Sequence, residues 1–315
     1  MPMREADASR DAGRPGRSPR SSQPPMLPPR SLAFNDGCAD ADCDLGTAAL
    51  SASLAAEVKQ RLGLTSTLPL TLTGLQTAFS AWCRGTGYDN IALLIYLAEG
   101  GLGPVPGFPA KAYFRSWLDG SISNLCWANA EALRALLQHF GFAVQRAFGS
   151  MGAVLATGKH GTAIATLENE KFLVDPTFLA EQPLRLAGGH RTAAGDGPLR
   201  IWGDYDGTIH WQLPHGRFIG TFTIQQTCCT FETFRTGHDQ TRAGLAHGRM
   251  YKDKLFIRRN MNGGTLAYNN GVLVTKAGQD CHAKKISPNE VPMLLVTQFG
   301  IAPHVVERIP RHSFC

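Results

Sequence analysis

The chain is short of several features, and each shortage removes a class of protein. No apolar run approaches the roughly 18 residues that a membrane span needs. The N-terminus is rich in Arg, Ser and Pro and has no apolar stretch that could serve as a secretory signal. Eight cysteines stand at positions 38, 43, 83, 126, 228, 229, 281 and 315, with no CxxC pair and no small-domain disulfide pattern. A reduced, soluble, cytoplasmic protein is the expectation. His210, His215, Cys228, Cys229, His238, Cys281 and His282 could each ligate a metal, but their spacing is irregular, so no metal site is expected. Gly152 and Gly158 are separated by five residues rather than four, and His160 follows Lys159 where a phosphate loop needs Ser or Thr. Residues 149–152 do not make a GxSxG elbow, which argues against a serine hydrolase. The net charge of +6 is mild, and residues 1–30 supply about half of it, with six Arg against three acids. There is no basic stripe interleaved with aromatics, so neither nucleic acid nor membrane is an expected partner.

What is present suits a sizeable globular enzyme. The 315 residues are 43% hydrophobic, enough for one large domain or two or three smaller ones. Residues 1–45 have few large apolar side chains and are expected to be a disordered tail. A mostly helical part is expected over 46–150. Within it Leu75, Phe79 and Trp82 recur at helical spacing, 91–97 is a short apolar run, and 100–109 is a Gly/Pro loop. A helix should begin near Cys126, capped by Ser123 or Asn124, and stop at Gly141. Strand patterns dominate 151–250, including 162–167, 172–174 and the period-two set Phe218, Gly220, Phe222 and Ile224. Residues 187–200 read as a flexible surface loop. A small mixed unit is expected over 251–315, with strands at 255–258, 265–268 and 272–275, turns at 262–264 and 270–271, and a helix over 288–299 opened by Pro288.

Within this frame one ordered set of residues carries chemistry. Cys126 sits at the expected helix start, His160 lies 34 residues on and Asp175 a further 15. A thiol at a helix N-terminus meets the positive end of the macrodipole, which favours the reactive thiolate. His160 and Asp175 fall on one expected hairpin, and their odd separation puts them on the same face for a turn of two or four residues. A two-residue turn at Glu168-Asn169 pairs Asp175 with Thr162, two positions from His160, so twist or a bulge is expected to close the gap. A carboxylate on one ring nitrogen would fix the tautomer and leave the other nitrogen to the thiol. The set therefore describes a nucleophile, a base and an orienting acid.

The same segments resemble those of the arylamine N-acetyltransferases. Cys126-Trp127-Ala128-Asn129 leads into a helix that ends Phe140-Gly141-Phe142, where family members lead into Leu-Gly-Phe. Residues 172–178, Phe-Leu-Val-Asp-Pro-Thr-Phe, are similar to the family's aromatic-Leu-Val-Asp-x-Gly-Phe, and Pro183-Leu184-Arg185-Leu186 follows. Tyr88-Asp89-Asn90-Ile91 resembles the upstream Phe-Glu-Asn-Leu, and 294–301 the terminal helix with its Phe-Gly-Ile. Two stretches depart. Ile122-Ser123-Asn124 stands where the family has Arg-Gly-Gly, and Thr177-Phe178-Leu179 where it has Gly-Phe-Gly, which marks a divergent member.

The resemblance, over about residues 55 to 303, implies an α+β fold of three parts: an N-terminal helical bundle, a central antiparallel β-barrel and a C-terminal α/β lid. It implies Cys126, His160 and Asp175 as a catalytic triad, with Phe178 and Trp127 against the substrate. It implies ping-pong acyl transfer from acetyl-CoA or another acyl-CoA cosubstrate to a small-molecule amine, with no tightly bound cofactor. The altered flanks keep other readings open. These are an amide synthase acting on a carrier-bound polyketide or peptide acyl chain, a cysteine hydrolase or transglutaminase-like enzyme, and a non-catalytic binding protein of the same fold. Oligomeric state is not legible.

Overall fold

The computed structural model describes residues 50–315 apart from 65, 153–158, 187–191, 195–199, 205–207, 213–218, 244–249, 262 and 279. The tail expected over 1–45 lies outside the described residues. The N-terminal part is a helical bundle: α1 (Ala52–Arg61), α2 (Leu72–Gly85), a short strand β1 (Gly87–Asp89), α3 (Ile91–Ala98), α4 (Ala110–Gly120) and α5 (Cys126–His139). The spacing read in the sequence produces α2. Leu75, Ala78, Phe79 and Trp82 are buried along one stripe, and Thr71 caps the helix by accepting from the Gly74 amide.

Helix α5 is different, because every residue from Cys126 to Leu137 is buried. A helix enclosed on all sides is the centre of a structure rather than its edge. It packs on the helical bundle through Ala128, Ala132 and Leu136, and on the sheet through Trp127. Gly141, at φ 95°, closes it in the left-handed conformation that glycine adopts without strain. The expected side-chain cap is absent: the N-cap position is Leu125, and neither Ser123 nor Asn124 caps the helix. Ser123 is committed elsewhere, its hydroxyl accepting from the Gly87 amide at 2.8 Å.

The chain then turns to strands. β2 (Ala143–Met151), β3 (Lys159–Leu167), β4 (Glu170–Leu173), β5 (Leu184–Arg185), β6 (Thr192–Ala194), β7 (Arg200–Gly203), β8 (Thr208–Gln212) and β9 (Ile219–Gln226) form one antiparallel sheet ordered β5-β4-β3-β2-β9-β8-β7-β6. Its end strands come alongside each other, so the sheet is a nearly closed barrel. Ala147, Ile164, Leu173, Phe178, Ile201, Ile209 and Phe222 share its interior. The surface loop expected over 187–200 is corrected in part: β6 lies within it and pairs with β7, while 187–191 and 195–199 are outside the described residues.

Helix α6 (Phe231–Asp239) and the short α7 (Met250–Asp253) lead into the last part. There β10 (Phe256–Met261), β11 (Gly264–Asn269), β12 (Val272–Ala277) and β13 (Asp280–Lys285) make an antiparallel meander, and β1 of the helical part pairs with its first strand. Asn270 and Gly271, both at positive φ, form the two-residue turn read in the sequence. The terminal helix is shorter than expected. α8 runs Val291–Thr297 and is followed by α9 (Pro303–Val306); Val291 and Leu295 of α8, with Phe299 just beyond it, share a core with Leu266 and Tyr268. The whole is α+β: helical bundle, antiparallel barrel, α/β lid. No described helix is long and apolar enough to cross a membrane.

Candidate active site

Cys126 opens α5, His160 is the second residue of β3, and Asp175 lies two residues beyond β4. The structure brings the three together. The β3–β4 hairpin turns on Glu168 and Asn169, both at positive φ, with Leu167 opposite Glu170 and Ile164 opposite Leu173. The Val174 amide continues this register by donating to the Ala163 carbonyl at 3.0 Å. Asp175 therefore stands level with Thr162, and His160 is its diagonal neighbour. Of the two expected means, twist or a bulge, this hairpin shows no bulge, and diagonal neighbours on one face are within reach of long side chains. His160 Nε2 lies 2.7 Å from Asp175 Oδ2, and Asp175 Oδ1 accepts from the Thr177 amide at 2.8 Å.

Cys126 lies close enough to the same imidazole to act on its pKa through charge and hydrogen bonding. Cys126, His160 and Asp175 are at most 2% exposed. Burial disfavours charge on His160, but the Asp175 carboxylate and Cys126, as neighbouring negative charges and hydrogen-bond partners, outweigh it and push its pKa up to about 10.

Two contacts set the spacing between thiol and imidazole. The Trp127 indole lies against the backbone of Gly161, next to His160, and of Gly237 in α6; a Cβ at either glycine would fall 2.5–2.6 Å from it. Trp127 is 1% exposed and packs on Phe234 and Phe148, so it is enclosed behind the thiol. Deeper in, Glu131 of α5 accepts from Arg134 Nε and Nη2 at 3.0 and 2.8 Å and from Arg146 Nε and Nη2 of β2 at 2.7 and 2.9 Å. Burial raises the Glu131 pKa, but the hydrogen bonds from Arg146 and Arg134 prevail and hold it below the usual carboxylate range. This double fork fastens the helix that bears Cys126 to the strand beside His160.

On the barrel side the His160 ring is flanked by Phe178 at 5.8 Å and by Phe222, edge-on, at 5.1 Å, and Phe178 continues to Trp211 at 5.8 Å. On the helical side Cys126 shares a cluster with Tyr88, Leu125 and Phe148. The segment before the thiol is pinned to β1. Asp89 accepts from the Ser123 amide at 2.7 Å and from the Ile91 amide at 3.1 Å. Burial raises the Asp89 pKa to about 6 despite these two amides.

The two stretches that depart from the family pattern keep a backbone suited to glycine. Asn124 has φ 60° and Leu179 φ 51°. Asn tolerates this region; Leu pays about 1–2 kcal/mol for it. The Leu179 turn is braced from β10, where Asn260 Nδ2 donates to the Leu179 carbonyl at 2.8 Å and Arg258 Nη2 donates to the Thr177 carbonyl. Sequence reasoning did not single out Arg258. A signal existed: consecutive arginines on a strand, here 258 and 259, must point to opposite faces, so one of them turns inward. Among the described residues no group of three or more His, Cys, Asp or Glu is placed to hold a metal.

Comparison with known proteins agrees with this architecture. The N-acetyltransferase family model matches residues 124–306. The arylamine N-acetyltransferase of Mycobacterium marinum superposes with a TM-score of 0.65 at 16% identity, covering 82% of this chain and 100% of that one. That of M. smegmatis gives 0.63 at 19% identity, covering 80% and 96%. A Bacillus cereus arylamine N-acetyltransferase described as having a Cys-His-Glu triad gives 0.62 at 16%, covering 79% and 98%. At these identities the likeness to the solved structures is one of fold. No curated protein sequence matches the chain.

Proposed function

The chain belongs to the arylamine N-acetyltransferase family, and on that premise we propose that it carries an acyl group from a coenzyme A thioester to an amine through an acyl-cysteine at Cys126. The observation that carries this reading is the convergence of Cys126 and Asp175 on the buried His160, with 2.7 Å between His160 Nε2 and Asp175 Oδ2. A His160 whose pKa is pushed up to about 10 carries the proton that a Cys126 thiolate needs beside it.

In the first half-reaction the Cys126 sulfur attacks the thioester carbonyl. A carbon–sulfur bond to Cys126 forms, the bond to coenzyme A breaks, and the departing thiolate takes the proton from His160. The imidazole is then neutral. In the second half-reaction the amine attacks the acyl-cysteine while His160 accepts the amine proton. The carbon–nitrogen bond forms, the Cys126 thiolate leaves, and the starting ion pair is restored. Asp175 holds the ring so that Nδ1 keeps facing the sulfur. Phe178 and Phe222 give the amine an aromatic wall beside His160, and Trp127 keeps α5 at its distance from β3. Acetyl-CoA is the proposed donor and a small aromatic amine the acceptor.

Intact mass spectrometry tests this directly. Brief incubation with acetyl-CoA should add one acetyl group, addition of an aromatic amine should remove it, and Cys126→Ala should show no adduct. A wild-type chain that no acyl-CoA labels would overturn the proposal.

A further inference from the structure

Arg258 is a buried cation that the proposed reaction does not use. It lies on β10 directly opposite Tyr88 of β1 and is 5% exposed. Its Nη2 donates to the Thr177 carbonyl, its guanidinium stands 5.8 Å from the centre of the Tyr88 ring, and its Nε is enclosed with no hydrogen-bond partner. Among the described residues it has no carboxylate within salt-bridge distance. Bringing an arginine out of water costs several kcal/mol unless an anion compensates it. At the Glu131 site both buried arginines are forked onto a carboxylate. Arg258 has no such partner.

Its surroundings are polar in a specific way. The Tyr88 and Tyr251 hydroxyls share a hydrogen bond, and both tyrosines lie close enough to Cys126 and Arg258 to feel their charges. Tyr251 packs edge-on against Tyr88 at 6.3 Å. Tyr88 belongs to the same cluster as Cys126, whereas Phe178 and Phe222 belong to the barrel cluster on the imidazole side. The surroundings of the reacting pair are thus asymmetric: aromatic and apolar beside His160, hydroxyl-bearing and cationic beyond Cys126.

We propose that Arg258, Tyr88 and Tyr251 form a subsite for a carboxylate, and that the acyl group carried on Cys126 is one that ends in a carboxylate. Arg258 contributes the charge and its free Nε–H, and the two tyrosines make the surroundings of that charge polar. The inference rests on the acyl-cysteine reading above. The chemistry of transfer is unchanged: the acyl–sulfur bond to coenzyme A breaks, that to Cys126 forms, and the terminal carboxylate is a spectator.

Rates of Cys126 labelling by malonyl-CoA, acetyl-CoA and butyryl-CoA, read by intact mass, test it. Butyryl controls for size. The wild type should label at least tenfold faster with malonyl-CoA than with either neutral donor. Arg258→Met should collapse that ratio to near one, and Arg258→Lys and Tyr251→Phe should lower it by lesser amounts; these two keep the test valid should Arg258→Met misfold. Labelling by acetyl-CoA with no malonyl preference, or a preference that survives the substitutions, overturns the carboxylate subsite and leaves the acyltransferase reading standing. No labelling by any donor overturns the acyltransferase reading itself. A carboxylate recognised on the amine instead would appear as unchanged donor ratios with faster turnover of 4-aminobenzoate than of aniline, and would likewise overturn the subsite as assigned to the acyl group.

Discussion

Two buried regions flank Cys126, and both contain arginine. Behind it, between α5 and β2, Glu131 takes four hydrogen bonds from Arg134 and Arg146. In front, between β1 and β10, Arg258 braces one carbonyl and faces two tyrosines without a carboxylate in contact. The rear charges neutralise one another and lock two elements. The front charge has no carboxylate in contact, and Asp175 acts on it only from beyond salt-bridge distance. Buried charge alone does not mark a functional residue; buried charge whose compensation is incomplete is the informative observation.

The largest effect expected from breaking this contrast is at the rear. Glu131→Gln leaves two buried guanidinium groups facing a neutral amide, and loss of one partner of a buried ion pair costs about 3–5 kcal/mol. Urea unfolding should show that loss, or the protein should fail to accumulate in folded form. A shift under about 1 kcal/mol would mean that the fork contributes little and that the two regions are not different in kind.

The second effect depends on pH and concerns the His160–Asp175 pair between the two regions. The pKa of His160 is raised on folding, from its ordinary value of about 6.5 to about 10. Its contribution to stability is therefore fully present below pH 6.5 and is lost as the pH rises through 10. Unfolding free energy measured from pH 6 to 10.5 should fall across that window in the wild type. Asp175→Asn, which keeps the shape but not the charge, should flatten the profile. An unchanged profile would show that the carboxylate is not what holds the proton.

Much of this arrangement was legible in the sequence, and the parts that were not have physical reasons. Helical spacing located α2 and the α5 core, turn residues located the β3–β4 and β11–β12 hairpins, and the two-residue turn gave the register that sets His160 diagonal to Asp175. Which of twist or a bulge closes that diagonal was not legible, and the regular register leaves no bulge in it. The cap of α5 was misjudged because Ser123 pairs with a strand remote in sequence, Gly87, and local rules do not see such partners. The Trp127 packing was hidden for the same reason: it depends on Gly237, more than a hundred residues away. Arg258 was overlooked because a pair of arginines suggests a solvated surface unless strand alternation is imposed on it.

A smaller effect is expected at the front, where Arg258→Met should cost about 1 kcal/mol or less in stability. The lost hydrogen bond to Thr177 is worth roughly 1.5–3 kcal/mol, and release from burying an uncompensated charge offsets most of it. Thermal unfolding of this variant beside Glu131→Gln is the sharpest form of the comparison. Equal losses would make Arg258 a structural cation like its counterparts behind the thiol.

The smallest effect is that of Asn124→Gly, at one of the two positions with glycine-like backbone. Asn124 has φ 60°, and its buried Nδ2 has no hydrogen-bond partner. Leu179 has φ 51°, but its side chain fills the core beside Val174 and Phe79. Asn124→Gly removes an unsatisfied amide and meets no backbone penalty, while the unfolded chain gains about 0.5–1 kcal/mol of conformational freedom. The net change should be under about 1 kcal/mol. Asn124→Ala should be worse than the glycine variant by about 1–2 kcal/mol, since alanine lacks the polar side chain that makes this region tolerable. Urea midpoints of the two variants decide the matter. If alanine matches glycine, the backbone at 124 has relaxed out of the left-handed region, and the asparagine is kept for its side chain rather than its conformation.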